Sequence, residues 1–435
     1  MHSEKQNVRR PLIGGRMSRR KFLTASAATV AMPAILRHTR AYAQEVLIKV
    51  GHVSPRTGPI AGFAEADPFI IGEIEKTFAA GIDSGDKTVK IEIIAKDSQS
   101  NPNRAAEVAA ELILKDEVDI ITAASTPDTT NPVADQAEVN EVPCITTDCP
   151  WQPYFFGRNG DPAKGFDWTY HFFWGLEDVI AAFLALWKQP NVAKVVGGLF
   201  PNDADGNAWG DAKFGLPPAL AAAGFKLIDP GRYQPLNSDF TAQISAFKEA
   251  GCEIVTGNMI PPDFATFWGQ AAQQNFKPKI VTIGKALLFP SVIESLGARA
   301  NGLSSEIWWT PNHPFKSSLT GQSAGELTKA YMDATGRPWT QPIGFKHALF
   351  EVVADVVKRT ADLGDKNVIM DAIKSTNLAT IVGPVQWTGV PVKNVTKTPL
   401  VAGQWQKRGD RFDLVITENE TAPEIPVGGQ LQLIS

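Results

Sequence analysis

The sequence predicts an α/β fold built from doubly wound parallel sheets, and three observations lead to this prediction. Short runs rich in β-branched residues alternate along the chain with Ala- and Glu-rich segments of helical length, an alternation that implies parallel sheets. Polar or glycine-containing turns follow several of the strands, at the edge where such sheets bind ligands. The chain has 435 residues, of which 43% are hydrophobic and 20% charged, enough for two domains with cores of their own.

The first predicted strand begins near Glu45 and ends in an unusual turn. Val46, Ile48, Val50 and His52 alternate with other side chains, as in a strand. The turn at 54–59 contains Pro, Gly, Ser and Thr, which fix φ, permit positive φ and offer hydroxyls that cap the next helix. The turn chemistry alone leaves open an ordinary loop and a ligand-binding loop.

The remaining elements alternate in the same way. In the first half, we predict helices at 65–81, 103–115 and 131–140, strands at 89–95, 118–123 and 143–146, and an irregular segment at 157–166. In the second half, we predict helices at 179–188, 216–224, 240–250, 262–274, 324–335 and 343–363, strands at 194–200, 226–229, 253–257 and 279–283, and a closing hairpin of 401–405 and 412–416.

The charge is distributed unevenly along the chain. The net charge is −4, but the first 43 residues contain nine Lys or Arg and one acid, so the remainder carries −12. An acidic protein of this kind argues against nucleic acid or an anionic membrane surface as a partner.

The amino terminus has the pattern of a twin-arginine export signal. Arg19 and Arg20 lie in the motif SRRKFL, before a weakly apolar run at 24–36 that is too short to span a bilayer. A small-x-small cleavage site ends at Ala43. We therefore expect a signal peptide at 1–43 and a periplasmic, soluble product, with Met1 or Met17 as the start; a chance Arg pair is the alternative.

The sequence offers no sign of an enzyme or a cofactor. It lacks the Gly-rich nucleotide-binding motifs, Gly-x-Ser-x-Gly and His-Glu-x-x-His. Cys144 and Cys149 either pair or stay as thiols, Cys252 is expected in the core, and their spacing does not suggest a metal site. We expect no cofactor.

Residues 48–63 resemble the opening of the leucine/isoleucine/valine-binding family, the periplasmic solute receptors of ABC transporters. The match is a short strand, a Ser-x-x-x-Gly-Pro turn and an aromatic residue, here Ser54, Gly58, Pro59 and Phe63. It continues with lower specificity to about Trp405. Like the family, the chain should form two doubly wound lobes joined by a three-strand hinge, with the ligand between them.

The resemblance also implies where the chain crosses between the lobes. The crossings are expected at 168–174, 302–310 and 382–387. The first lobe would then contain 45–166 and 306–380, and the second 167–305 and 381–435.

In the first lobe, the resemblance implies ligand contacts from three turns. The opening turn contributes Ser54 and Phe63. The turn after the third strand contributes Ser125 and Thr126, which serve equally well as helix caps. The turn after the fourth strand departs from the family pattern. In this turn Asp148 could pair with a cationic ligand group and Trp151 could form an aromatic wall. The alternative is a turn that only buries its Trp. The contacts expected there are Thr146, Thr147, Asp148 and Trp151.

In the second lobe, Trp209 takes the place of a family Tyr that packs on the ligand. Lys285 lies where amino-acid receptors often carry an acid, so it favours an anionic ligand group unless it is a solvated surface lysine. One of Trp308 and Trp309 should face the cleft. Trp151, Trp174, Trp209 and Trp308 all fall on predicted cleft loops, and aromatic walls suit a flat ligand or a cation.

The resemblance, together with these residues, implies the periplasmic substrate-binding component of an ABC transporter and not an enzyme. We expect a monomer that binds a small amino acid or carboxylate, including an aromatic one, and delivers it to the membrane subunits of an ABC permease. A ligand sensor on the same fold and an exported cofactor enzyme are the alternatives.

Overall fold

A computed structural model describes residues 44–84, 87–189 and 191–434. The predicted leader, with Arg19, Arg20 and Ala43, lies outside the described residues. The strands are β1 (Gln44–Ser54), β2 (Ile82–Ser84), β3 (Lys87–Asp97), β4 (Ile120–Ala124), β5 (Cys144–Thr147), β6 (Thr169–Phe172), β7 (Val195–Leu199), β8 (Lys226–Ile228), β9 (Ile254–Met259), β10 (Ile280–Lys285), β11 (Leu303–Ile307), β12 (Asn377–Thr380), β13 (Gly383–Gln386), β14 (Val395–Thr396), β15 (Val401–Arg408) and β16 (Arg411–Glu418).

The α-helices alternate with these strands. They are α1 (Asp67–Phe78), α2 (Pro102–Leu114), α3 (Pro127–Val139), α4 (Trp151–Gly157), α5 (Leu176–Lys188), α6 (Ala204–Trp209), α7 (Leu216–Ala222), α8 (Thr241–Ala250), α9 (Pro261–Gln273), α10 (Pro290–Leu296), α11 (Ala324–Thr335), α12 (Pro342–Arg359) and α13 (Lys366–Lys374). Short 3₁₀ turns lie at Ala61–Ala64, Ala286–Leu288 and Gly297–Ala300.

The strands form two large sheets, one in each lobe. The first lobe has the order β14-β6-β5-β4-β1-β3-β2, and the second has β16-β15-β11-β10-β9-β7-β8. The central pairs of both sheets are parallel. Every side chain of β4, β5, β9 and β10 is buried, as expected of parallel strands covered by helices on both faces. The predicted two-lobe, doubly wound α/β fold is confirmed.

The chain crosses between the sheets three times. It leaves the first sheet after β6, returns after β11 and leaves again between β14 and β15. The Gln341 side chain, at the start of α12, holds the second crossing: its Oε1 accepts the Trp308 N–H at 2.7 Å and its Nε2 lies 3.3 Å from the Glu306 carbonyl. Lys397 holds the third, with Nζ 2.9 Å from Glu177 and 2.7 Å from Asp178 at the start of α5.

The first expected crossing begins later than the start of its predicted range, and the third lies after its predicted range. Residues 169–172 form β6, which pairs with β5 in the first sheet, so the chain crosses only after Phe172. Residues 383–386 pair in a hairpin with β12, and β14 still pairs with β6, so the third crossing comes after Thr396. The first crossing starts late and the third is displaced because β6 and β14 complete the first sheet before the chain leaves it. We therefore propose later boundaries for the lobes than 166/167 and 380/381.

The long helix α12 is the centre of the first lobe. Its residues from Pro342 to Ala354 are all buried, and it packs against α1, α13 and β2. Gly344 allows it to lie against the second crossing, because a Cβ there would be 2.5 Å from the Trp309 ring. Lys346, on the same helix, points into the lobe and reaches β4 and α1.

The two ends of the described chain lie in different lobes. Gln44 pairs with Lys87 at the edge of the first lobe. The Ile434 N–H donates to the Lys279 carbonyl at 2.9 Å, directly before β10 in the second lobe. Cys144, Cys149 and Cys252 are free and buried. Among the helices described, none is both long enough and apolar enough to cross a membrane.

Candidate ligand-binding site

A cavity of about 20 Å³ lies between the two lobes, where the carboxyl edges of their sheets face each other. That volume has room for about one water molecule. Six residues line it from the first lobe: Phe63, Thr126, Asp148, Pro150, Phe173 and Trp174. Seven more line it from the second lobe and the second crossing: Asp205, Trp209, Asn258, Lys285, Leu288, Glu306 and Trp308.

Asp148 is the charged residue of the first-lobe wall. It follows β5 with φ of 71°, which an Asp tolerates better than most residues. The side chain is buried, and both carboxylate oxygens lack a hydrogen-bond partner among the described residues. Burial raises the pKa of Asp148 to about 7; Lys346 opposes the shift and Asp67 adds to it. An unpaired buried carboxyl of this kind must be protonated or meet a donor.

Lys346 is the cation behind this wall, and its ammonium group is already paired. Nζ lies 3.1 Å from Asp67 Oδ1 and donates to the Ala124 carbonyl at 2.9 Å. Asp67 also accepts from Ser54 Oγ and lies 3.5 Å from His52 Nε2. Burial alone would raise the pKa of Asp67, but Lys346 and these hydrogen bonds lower it to about 2. The group joins β1, β4, α1 and α12 behind the cavity.

Lys285 is the only lysine or arginine of the cavity wall in the described chain, and it too is paired. Its Nζ lies 2.9 Å from Asp203 Oδ2 and 2.9 Å from Asp205 Oδ2. Burial would lower the pKa of Lys285, but Asp203 and Asp205 raise it above its ordinary value. The lysine is therefore charged, and its charge is already balanced.

The helix α6 positions two wall residues for this arrangement. Asp203 caps it, since Oδ1 accepts the Gly206 N–H at 2.6 Å. Asp205 and Trp209, four residues apart, share one face and both reach the cavity. Gly206 permits the tight start, because a Cβ there would lie 2.0 Å from the Pro201 carbonyl oxygen. The sequence NDADGNAW is thus a short cap-and-helix unit.

Glu306, on β11, completes the polar wall. Its Oε1 accepts the Lys285 N–H at 3.3 Å and its Oε2 lies 2.8 Å from Ser305 Oγ. Ser305 Oγ is also 2.9 Å from the Ile283 carbonyl, and one hydroxyl proton serves only one of these acceptors. Burial raises the pKa of Glu306 to about 7 despite the hydrogen bonds. A protonated Glu306 that donates to Ser305 satisfies all of these groups.

Aromatic rings enclose the cavity. Phe173 contacts Trp174 with a centroid distance of 4.8 Å and Trp308 with 4.9 Å. Phe63 of the first lobe meets Phe289 of the second edge to face at 5.2 Å. Because this contact and the one from the Ala204 N–H to Asp128 Oδ1 (3.4 Å) join opposite lobes, the conformation is closed.

Several polar atoms of this enclosure have no hydrogen-bond partner in the residues described. They are the indole N–H groups of Trp174, Trp209 and Trp308 and both amide atoms of Asn258. Unsatisfied buried polar groups are rare and costly in folded proteins. Their convergence from both lobes makes the cavity the candidate ligand-binding site.

Six of the predicted contact residues line this cavity: Phe63, Thr126, Asp148, Trp209, Lys285 and Trp308. The other five do not. Ser54 Oγ donates to the Asp67 carboxylate, and Thr147 Oγ1 donates to the Phe172 carbonyl at 2.7 Å. Thr146 Oγ1 lies 2.8 Å from His171 Nδ1, and Trp151 Nε1 donates to Glu177 at 3.1 Å. Ser125 is buried beside the site.

The sequence interpretation missed Phe173, Asp205, Asn258 and Glu306 as wall residues. Phe173, Asn258 and Glu306 lie at or next to the carboxyl end of a strand, which is the signal that could have found them, whereas Asp205 lies in α6. Lys285 was expected to favour an anionic ligand group unless it was a solvated surface lysine. It is buried and paired with two carboxylates, and its contact with a ligand stays a prediction. In the described chain, no group of three or more His, Cys, Asp or Glu is arranged to hold a metal ion.

The two doubly wound lobes and the enclosed cavity between them define a type I binding protein of the kind that closes over a solute. Residues 47–410 match the model of the periplasmic binding protein family, so the chain belongs to that family. Proteins of this family bind solutes and are not enzymes, and this chain is a binding protein as well. No curated protein gives a significant match.

Several solved structures share the fold. The leucine binding protein LivK of Thermotoga maritima superposes with a TM-score of 0.67 at 18% identity, covering 86% of this chain and 99% of its own. A solute binding protein of an ABC transporter from Rhodopseudomonas palustris, in complex with 3,4-dihydroxybenzoic acid, gives 0.70 at 19%, covering 87% and 99%. The LivJ protein of Streptococcus pneumoniae, in complex with isoleucine, gives 0.66 at 15%, covering 85% and 99%.

Proposed function

We propose that the protein is the substrate-binding component of an ABC transporter, which holds a small solute between its lobes and delivers it to a membrane permease. The observation that supports this proposal most directly is the set of unpartnered polar groups that converge on one cavity from both lobes. A solute that contacts both lobes stabilises the closed conformation over the open one, and only such a difference in affinity can drive closure.

The size of the cavity supports a binding cycle that includes opening. At about 20 Å³ it is too small to admit an amino acid or an aromatic acid while closed. The three crossings provide the hinge about which the lobes separate. Entry of the solute therefore requires an open form, and the permease would receive the closed one.

The solute class is open to direct measurement. The fold is shared with proteins whose structures contain isoleucine and 3,4-dihydroxybenzoic acid, and an amino acid or a carboxylate was the expectation from sequence. The test is mass spectrometry of solute released by denaturing the mature protein, followed by thermal-shift titration of the refolded form. A true ligand raises the melting temperature with concentration, by the equivalent of about 2.7 kcal/mol at a hundred times its Kd.

A matched pair of variants links that ligand to the cavity. Asn258→Ala removes an amide that has no partner in the described chain, so we expect weaker ligand binding without loss of stability. Asn140→Ala removes an amide outside the cavity, which bonds the Gln136 carbonyl, and should leave binding unchanged. Release of no solute, together with no thermal shift from amino acids, carboxylates or amines, would contradict the proposed function.

A further inference from the structure

The cavity wall carries no cation that is free to pair with a ligand. Three of its described residues are acidic, Asp148, Asp205 and Glu306, and Lys285 is the one lysine or arginine among them. Lys285 is shared between Asp205 and Asp203, which lies behind the wall. Asp128, across the cleft, adds a further acid beside Ala204. The wall thus offers no uncommitted positive charge to an anionic ligand group.

Asp148 is the group that most needs a partner. Its oxygens are both buried and without a hydrogen bond among the described residues. The nearest charged groups of its own lobe, Lys346 and Asp67, are paired with each other. Because the residue faces the cavity, a partner for it can come from a solute there. A cationic donor would pair with the carboxylate, whereas an anionic group placed beside it would be repelled.

The other surfaces of the cavity also suit a cation. The rings of Phe63, Phe173, Trp174, Trp209 and Trp308 form its apolar walls. Indole and phenyl faces attract ammonium groups, and the effect is strongest where water is excluded. The unpartnered indole N–H groups remain available to a hydroxyl or carbonyl oxygen elsewhere on the solute.

We infer that the solute is an organic ammonium ion without a carboxylate, whose positive nitrogen pairs with Asp148 and lies against the aromatic wall. This inference rests on the proposed function and specifies its substrate class. It separates the protein from neighbours whose structures contain an amino acid or a dihydroxybenzoate, since an added carboxylate would find no unpaired cation among the described wall residues.

The test compares ammonium compounds with counterparts that lack the positive nitrogen or carry a carboxylate. The unfolded and refolded mature protein, freed of solute, is titrated calorimetrically with four ammonium compounds: choline, putrescine, ethanolamine and isoamylamine. Each is matched with a neutral or carboxylated counterpart: 3,3-dimethylbutan-1-ol for choline, 1,4-butanediol for putrescine, glycine for ethanolamine and leucine for isoamylamine; 4-hydroxybenzoate represents the aromatic acids. We expect at least one amine to bind, and its counterpart to bind at least about thirtyfold more weakly.

Variants then locate the charge. Asp148→Asn should weaken the binding of that amine by at least about thirtyfold. Glu351→Gln, which neutralises a buried acid of the first lobe outside the cavity, should leave it within about threefold. Circular dichroism verifies that both variants are folded, and the charge comparison among solutes on the wild-type protein stands even if one is not.

The outcomes separate the two proposals. If leucine or glycine binds and its amine counterpart does not, or if none of the four ammonium compounds binds, the inference is overturned, while a receptor function stands on any solute that does bind, 4-hydroxybenzoate included. An amine whose affinity is unchanged in Asp148→Asn overturns the assigned pairing. If no solute binds and none is released on denaturation, the proposed function itself fails.

Discussion

At the scale of single residues, Asp148 makes the stability of the protein depend on pH. Burial raises its pKa from the ordinary 3.8 to about 7, so between these values the folded chain holds a proton that the unfolded chain has lost. The free energy of unfolding then falls as pH rises through this range. Asp148→Asn removes this dependence, so the free energy of unfolding of the variant should fall less steeply with pH than that of the wild type. The two slopes should differ by at most about 1.4 kcal/mol per pH unit.

Urea unfolding at pH 5, 6, 7 and 8 checks this expectation. The ligand-free variant should be more stable than the wild type at pH 8, where the wild type carries the buried charge. Asp161→Asn changes an exposed acid and should give a profile parallel to that of the wild type. Identical slopes for Asp148→Asn and the wild type would contradict the buried, raised-pKa description.

Lys285 allows a second prediction, which concerns the free energy of unfolding that is lost when a buried lysine is removed from its paired carboxylates. Lys285→Met leaves Asp203 and Asp205 without their cation, which should lower the free energy of unfolding by about 3–5 kcal/mol near neutral pH. Lys279, at the other end of the same strand, pairs with Glu253 but is 44% exposed. Lys279→Met should therefore cost less than about 1 kcal/mol. Equal losses in the two variants would be inconsistent with a buried, paired Lys285.

The candidate site was only partly predictable from sequence, for reasons specific to each residue. Thr126 and Asp148 follow strands and could be found by the strand-end rule. Asn258 and Glu306 are the penultimate residues of β9 and β11. The same rule could have found them, but the predicted strand ended at 257 and 302–310 was interpreted as a crossing. The role of Lys285 depends on Asp203 and Asp205, about 80 positions earlier, and a single sequence does not reveal such pairs. Thr146 and Thr147 do not line the cavity, because their hydroxyls bond to the neighbouring β6.

At the scale of elements, the packing of α12 on the second crossing is tight enough to test. Gly344→Ala puts a Cβ 2.5 Å from the Trp309 ring, and such overpacking should cost about 1–3 kcal/mol. The control is Gly72→Ala on α1, where no atom lies within 4 Å of the new Cβ. That variant should be neutral or stabilised by up to about 1 kcal/mol, since Ala favours helix over Gly. Thermal unfolding of both variants distinguishes them; a harmless Gly344→Ala would mean that α12 has room to shift.

The long, regular elements were predictable, whereas two short helices and one short strand were not. The helices near 103–115 and 324–335 have capping residues and apolar periodicity, and the structure has them at Pro102–Leu114 and Ala324–Thr335. By contrast, α4 and α6 contain seven and six residues, less than two full turns, so neither shows a helical period. The two-residue β14 carries no sequence signal either, and it is the strand that delays the third crossing.

At the scale of the whole molecule, the ring contact between Phe63 and Phe289 helps to hold the lobes together. Phe289→Ala should shift the ligand-free protein towards the open form, by about 1–2 kcal/mol for the lost contact and buried area. Small-angle X-ray scattering should then show a larger radius of gyration, which solute reverses. Phe276→Ala, inside the second lobe against Phe247, should lower stability without changing the radius. An unchanged radius in Phe289→Ala would show that this contact does not control closure.

Because the chain crosses between the lobes three times, the two ends of the described chain lie in different lobes. This arrangement has a practical consequence. Residue 44 starts in the first lobe and residue 434 ends in the second, so any rotation about the hinge moves the two ends relative to each other. A donor and an acceptor fluorophore fused at these positions would convert opening and closing into a change of energy transfer, without labelling any residue near the cavity. The protein therefore has the layout of a genetically encodable optical reporter for its own solute.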